Sequence, residues 1–143
     1  MGARHRPTAA GRGACRRDDE GSAVVEFSLV AVLLLAVLLG IVQVAVYLHI
    51  RNVAAASAAE GARYGANADV GAAEGAERAG DILRRGAGDG TADRLSCAGS
   101  EDVGPSGVAV VTVRCTGVLP VFFAPLGEVL PVRVSARSVE EGQ

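Results

Sequence analysis

Tryptophan and lysine are absent from this 143-residue chain, methionine occurs once, and aromatic residues make up only 3% of it. A small water-soluble core leans on large side chains, yet half of this chain is hydrophobic and the bulk comes from Ala, Val, Leu and Gly. Apolarity without large rings points to lipid as the medium for much of the apolar surface. Charge is sparse as well, at 21% of residues against a mean hydropathy of +0.32, which excludes a disordered acidic or basic tail. All 14 basic residues are Arg, which reads as coding bias and carries no mechanism. A net charge of -2 and a pI near 5.7 argue against a nucleic-acid partner. The length suits one small domain.

Catalytic and metal chemistry are equally hard to find. There are two His residues, no G-x-S-x-G string and no triad pattern. The neighbouring acids Glu101 and Asp102 are expected in a solvated loop, not as an acid/base pair. The Gly-rich stretch Gly86–Gly90 leaves a helix and is followed by no Lys-Ser/Thr, so it is no phosphate loop. The sequence implies no cofactor and no enzyme activity.

Phe27 to Ile50, by contrast, is 24 residues without an Asp, Glu, Lys or Arg. About 20 apolar residues suffice to cross a bilayer core of about 30 Å. Ser28 is tolerable there by bonding back to the helix, and Tyr47 and His49 fall near the exit, where amphipathic rings belong. Arg4, Arg6, Arg12, Arg16 and Arg17 precede the run and only Arg51 follows closely. Basic flanks stay cytoplasmic, so the expected orientation is N-terminus inside and C-terminal part outside. A removable signal peptide is the alternative, with Ala54-Ala55-Ala56 or Ala56-Ser57-Ala58 as the cleavage pattern. Its apolar region is ordinarily about 7–15 residues, shorter than this one.

Immediately before the run stands Gly21-Ser22-Ala23-Val24-Val25-Glu26-Phe27. A carboxylate opening a membrane helix is unfavourable, and alone it reads as a snorkelling Glu. Its position five residues after Gly21, between an Arg-rich leader and a membrane helix, resembles the type IV prepilin processing site. The aromatic Phe27 resembles the Flp/Tad branch. The string Ala58-Ala59-Glu60-Gly61-Ala62-Arg63-Tyr64, after a run of small residues, is similar to the A-x-E-G-A-R-Y segment of TadE-like proteins. The resemblance is sharp over residues 21–66 and matches only in general layout beyond. It implies a pilin-like structural component of a Flp/Tad-type pilus or related secretion apparatus, cut after Gly21 by a prepilin peptidase. Implied partners are that peptidase, other pilins or pseudopilins, the Tad inner-membrane assembly machinery and the lipid bilayer. The new Ser22 ammonium would then partner Glu26 of its own or a neighbouring subunit. An exported soluble binding domain released from a cleaved signal is the competing reading.

The expected organisation is a leader over 1–21, a transmembrane helix over 22–50 and an extracytoplasmic α+β domain over 51–143. Ala-rich residues 51–66 continue the helix, with Gly61 and Gly65 allowing a second element to pack closely. Residues 72–85 form that second helix, with Ala72, Ala76, Ala79 and Leu83 on one stripe and Glu74–Arg78 and Asp81–Arg85 as i,i+4 pairs. Three antiparallel strands follow: a short one at Leu95 and Cys97, Val108 to Cys115, and an alternating Leu130, Val132, Val134, Ala136. The stretch Leu119–Gly127 is oddly apolar. It either plugs the sheet edge or meets a partner or a membrane surface. Loss of the leader removes Cys15 and leaves Cys97 and Cys115. These either bridge neighbouring strands or remain two buried thiols; two Cys without a nearby His do not suggest a metal site.

Overall fold

The computed structural model describes residues 2, 18–105, 107–120 and 129–140. Arg4, Arg6, Arg12, Cys15, Arg16, Arg17 and residues 121–127 of the apolar 119–127 stretch lie outside the described residues. The class is α+β: a long apolar N-terminal helix, a second helix, and a three-stranded antiparallel sheet. Contacts divide the chain into the units Met1–Leu38 and Leu39–Gln143.

Helix α1 covers Asp18–Gly65 without a break. In its first part Leu33, Leu34 and Leu35 are each more than half exposed. Successive helical residues point about 100° apart, so the helix is apolar on all sides and covered on none. Ser28 Oγ donates to the Val24 carbonyl at 2.8 Å, which satisfies the hydroxyl within the helix. From Ile50 onward the same helix changes role. Ala54, Ala58 and Ala62, and Ala66 just past its end, recur every fourth residue and are all buried, which makes a seam of small side chains along one face.

Helix α2, Ala72–Ala87, packs on that seam. Its buried face is Ala72, Gly75, Ala79 and Leu83. Gly75 thus takes the place expected for Ala76, which is only half-buried. The reason is close approach: a Cβ on Gly75 would lie 2.6 Å from the Gly61 carbonyl oxygen, and one on Gly61 would lie 2.8 Å from Ala79 Cβ. Gly88, at φ 79°, ends α2 in a conformation that glycine adopts without penalty. A four-residue helix α3, Asp89–Ala92, follows where only a helix end was predicted.

Strands β1 (Leu95–Val103), β2 (Ala109–Pro120) and β3 (Val129–Val139) pair antiparallel in the order β1-β2-β3. Each is longer than its sequence signal. The inner face sets Val111, Val113 and Cys115 against the alanines of α1 and α2. A second cluster joins Ile50 and Ala54 of α1 to Leu83, Leu95, Leu119 and Val132. With methyl groups on the helices, the sheet supplies the larger side chains, and the two layers fill the core together.

Candidate functional site

Gly21, Ser22, Glu26 and Phe27 occupy the opening turns of α1. Gly21 is helical, not extended. Ser22 and Glu26 stand four residues apart, so they share one face. Ser22, Glu26 and Phe27 are all exposed, and among the described residues no ion pair includes Glu26. The helix that follows carries the described chain's one stretch long and apolar enough to cross a membrane, and none of that stretch is buried.

The string 58–64 resolves into packing. Ala58 and Ala62 are buried in the α1 seam. Gly61 lets α2 approach. Glu60 and Arg63 form an exposed pair at 3.7 Å, worth at most about 0.5 kcal/mol. Tyr64 offers its ring to Arg78 of α2, with the guanidinium carbon 6.0 Å from the ring centroid, a distance at the edge of cation–π attraction. Arg78 therefore does not pair with Glu74 as spacing predicts, and Asp81 meets Arg84 at 3.8 Å instead of Arg85.

The 58–64 string and the Gly21–Phe27 string lie on a single helix, and most of its length matches one family model. Residues 21–63 match the family model described as TadE-like protein. The segment is TadE-like. The match ends at Arg63, one residue before Tyr64 and well before α2 and the sheet. No curated protein and no solved structure matches the chain. A TadE-like segment points to a Tad pilus-associated component, with the apolar helix as a candidate membrane anchor.

Outside the TadE-like segment, Cys97 and Cys115 are joined as a disulfide between β1 and β2. They are directly opposed in the strand register, with Cα atoms 4.0 Å apart. Glu101 and Asp102 belong to β1, not to a loop. Consecutive strand residues face opposite sides. Glu101 Oε1 therefore accepts the Ala72 backbone N–H at 3.1 Å, while Asp102 accepts from the Ser100 hydroxyl at 3.4 Å on the other face. The two acids never form a dyad. Among the described residues no group of three His, Cys, Asp or Glu side chains gathers as metal ligands.

Two contacts have weak sequence signals. Glu101 serves α2, whose N-cap Gly71 has no side chain to offer the helix; a glycine before a helix, with an acid elsewhere, does not reveal the pairing. Tyr47 Oη donates to the Pro131 carbonyl at 3.2 Å, whereas its position alone suggested a membrane-interface ring.

Proposed function

We propose that the chain is a minor pseudopilin, a pilin-like structural or assembly component of a Flp/Tad-type pilus or related secretion apparatus, cut after Gly21 by a prepilin peptidase. The family match over residues 21–63 carries this reading, because it runs from the scissile glycine through the apolar helix to the 58–64 string. In this reading 1–21 is the cytoplasmic leader, 22–50 spans the cytoplasmic membrane once, and 51–143 stands on the outside. Partners are the peptidase, other pilins and the Tad inner-membrane machinery.

The local chemistry is consistent. A protease cleft takes extended peptide, so the first turn of α1 must unwind for Gly21 to be cut. Gly is about 1 kcal/mol poorer than Ala in a helix, and helix ends fray first. Cleavage then places an ammonium on Ser22 at the positive end of the helix dipole, where a cation is unfavourable. Glu26, one turn in, offsets both the dipole and the ammonium. It can do so for its own chain or for a neighbouring one.

The competing exported domain requires a cut near residues 57–60. That cut would sever Ile50 and Ala54 from the cluster they share with Leu95, Leu119 and Val132. N-terminal sequencing of protein purified from membranes decides between them. Ser22 is the expected first residue, and Gly21→Ala should insert normally while losing its leader slowly or not at all. A first residue near 57–60, or normal shortening of Gly21→Ala, would overturn the pseudopilin reading.

A further inference from the structure

We propose that the β2–β3 end of the sheet is seated in the bilayer leaflet from which α1 emerges, so that the domain rests on lipid instead of standing clear of it. The proposal builds on the reading of α1 as a membrane span.

Depth can be counted along α1. From Phe27, 20 residues at 1.5 Å each cover about 30 Å and end at Val46. The next residue is Tyr47, and its hydroxyl holds the Pro131 carbonyl of β3. One turn later Ile50 packs in the cluster that contains Leu119 and Val132. This end of the sheet is therefore fastened to the helix at the level where the helix leaves hydrocarbon.

The outer face of the sheet, opposite the face that packs on α1 and α2, changes character at the same place. Along that face the register sets Thr112 opposite Arg137, Arg114 opposite Ser135, and Thr116 opposite Arg133. The next pair on this face is Val118 with Pro131, followed by Pro120. Val118 is 44% exposed, and Pro120 and Pro131 are exposed too. Polar residues thus give way to apolar ones within one step of the strand pair. Arg114 and Arg133 stand just behind the boundary, at the height where phosphate groups would meet them and where long basic side chains snorkel.

Between this end and α1 runs an apolar groove of about 500 Å³. Leu39 and Val46 of α1 and Leu119 and Leu130 of the sheet line most of it, with Gln43 and Arg94 as polar members of the lining. Leu39 lies about two turns of helix below Tyr47, at acyl-chain depth. The groove therefore opens where lipid chains are, and its apolar walls suit acyl chains.

The absence of tryptophan makes the test direct, because any introduced Trp is the only one. The full chain is placed in vesicles of phosphatidylcholine and phosphatidylglycerol whose acyl chains carry bromine near the glycerol end, and, to read Leu34→Trp near the bilayer centre, in a second set brominated near the methyl end. Three reporters are compared: Leu34→Trp in the span, Val118→Trp at the sheet end, and Ser100→Trp opposite Thr112. The Ser100 level is about 20 Å up the strands from Val118. Val118→Trp should be quenched at least about twofold more than Ser100→Trp, with blue-shifted emission, as befits an interfacial ring. Pro120→Trp provides a second reporter at the same end if the first disturbs β2. Quenching of Leu34→Trp with both end reporters as bright as Ser100→Trp would overturn the proposal and leave the membrane span intact. Blue-shifted end reporters without quenching would overturn it too, since protein and not lipid would then cover this end of the sheet. An unquenched Leu34→Trp would remove the span itself, and the proposal with it.

Discussion

The carboxylate of Glu101, on β1, accepts the backbone N–H of Ala72, the first residue of α2, at 3.1 Å. The contact crosses from sheet to helix and satisfies one of the donors that every helix leaves open at its N-terminus. It also sets a negative charge at the positive end of the dipole. Gly71 in the N-cap position has no side chain for the task. Glu101→Ala should therefore destabilise the domain by roughly 0.5–1.5 kcal/mol, and Glu101→Gln by less, since it keeps the acceptor and loses only charge. Asp102→Ala, on the opposite face of the same strand, should be near neutral. Denaturant unfolding of the three variants checks the order; equal losses at both positions would remove the capping role.

The α1–α2 crossing makes a sharper demand. A Cβ at Gly61 would fall 2.8 Å from Ala79 Cβ and closer still to the Gly75 carbonyl oxygen. Backbone cannot yield as a side-chain tip can, so the helices must part. Gly61→Ala should cost roughly 1–3 kcal/mol by overpacking, despite the better helix propensity of Ala. Gly80 lies on α2 with nothing within 4 Å of a Cβ, so Gly80→Ala should gain roughly 0.5–1 kcal/mol. Opposite signs for one substitution at two helical glycines would be read from denaturant midpoints. The same sign at both would refute the close crossing.

That contrast also shows where sequence reasoning reaches and where it stops. Strand β3 was legible because Leu130, Val132, Val134 and Ala136 alternate with exposed residues, and the alternation survives in the fold. The α1 continuation and α2 were legible from Ala content and the apolar stripe. The choice of Gly75 over Ala76 was not, because a pattern search counts apolar side chains while this interface selects for their absence. Strand β1 extends through Ser100, Glu101 and Asp102 because β2 offers Thr112, Val111 and Val110 as partners; local composition there reads as loop, and tertiary pairing overrides it. The i,i+4 pairs failed for a related reason: Arg78 is drawn to Tyr64 on the other helix. At the processing string, the motif was visible in the sequence, while the helical state of Gly21 emerged only from the structure.

The disulfide has a direct chemical test. Mass analysis without reductant should find Cys97 and Cys115 two hydrogens lighter than the free thiols, and reduction should lower stability by about 3 kcal/mol for a loop of this length. Cys115 is fully buried, so its thiol should be alkylated slowly until the domain opens. Ready alkylation of both cysteines without reductant would remove the bridge from the native protein.

If the chain is the proposed pseudopilin, Glu26 should separate processing from assembly. It stands four residues beyond Ser22, about 6 Å along the axis, and its carboxylate is exposed on a helix whose neighbours are apolar. A charge near hydrocarbon is costly, about 2.5–3.5 kcal/mol at a helix centre and less toward the edge. The cost is best offset by an ammonium, and the Ser22 ammonium exists only after the leader is gone. In the proposed reading the peptidase acts before that, at Gly21. Glu26→Gln should therefore insert and be cut as the wild type is, yet fail to recover pilin partners by cross-linking in membranes. Glu26→Asp should fall between, since it keeps the charge and loses reach. If Glu26→Gln recovers partners at the wild-type level, the residue is only an interfacial carboxylate, and axial register between subunits must come from the apolar faces of the helix.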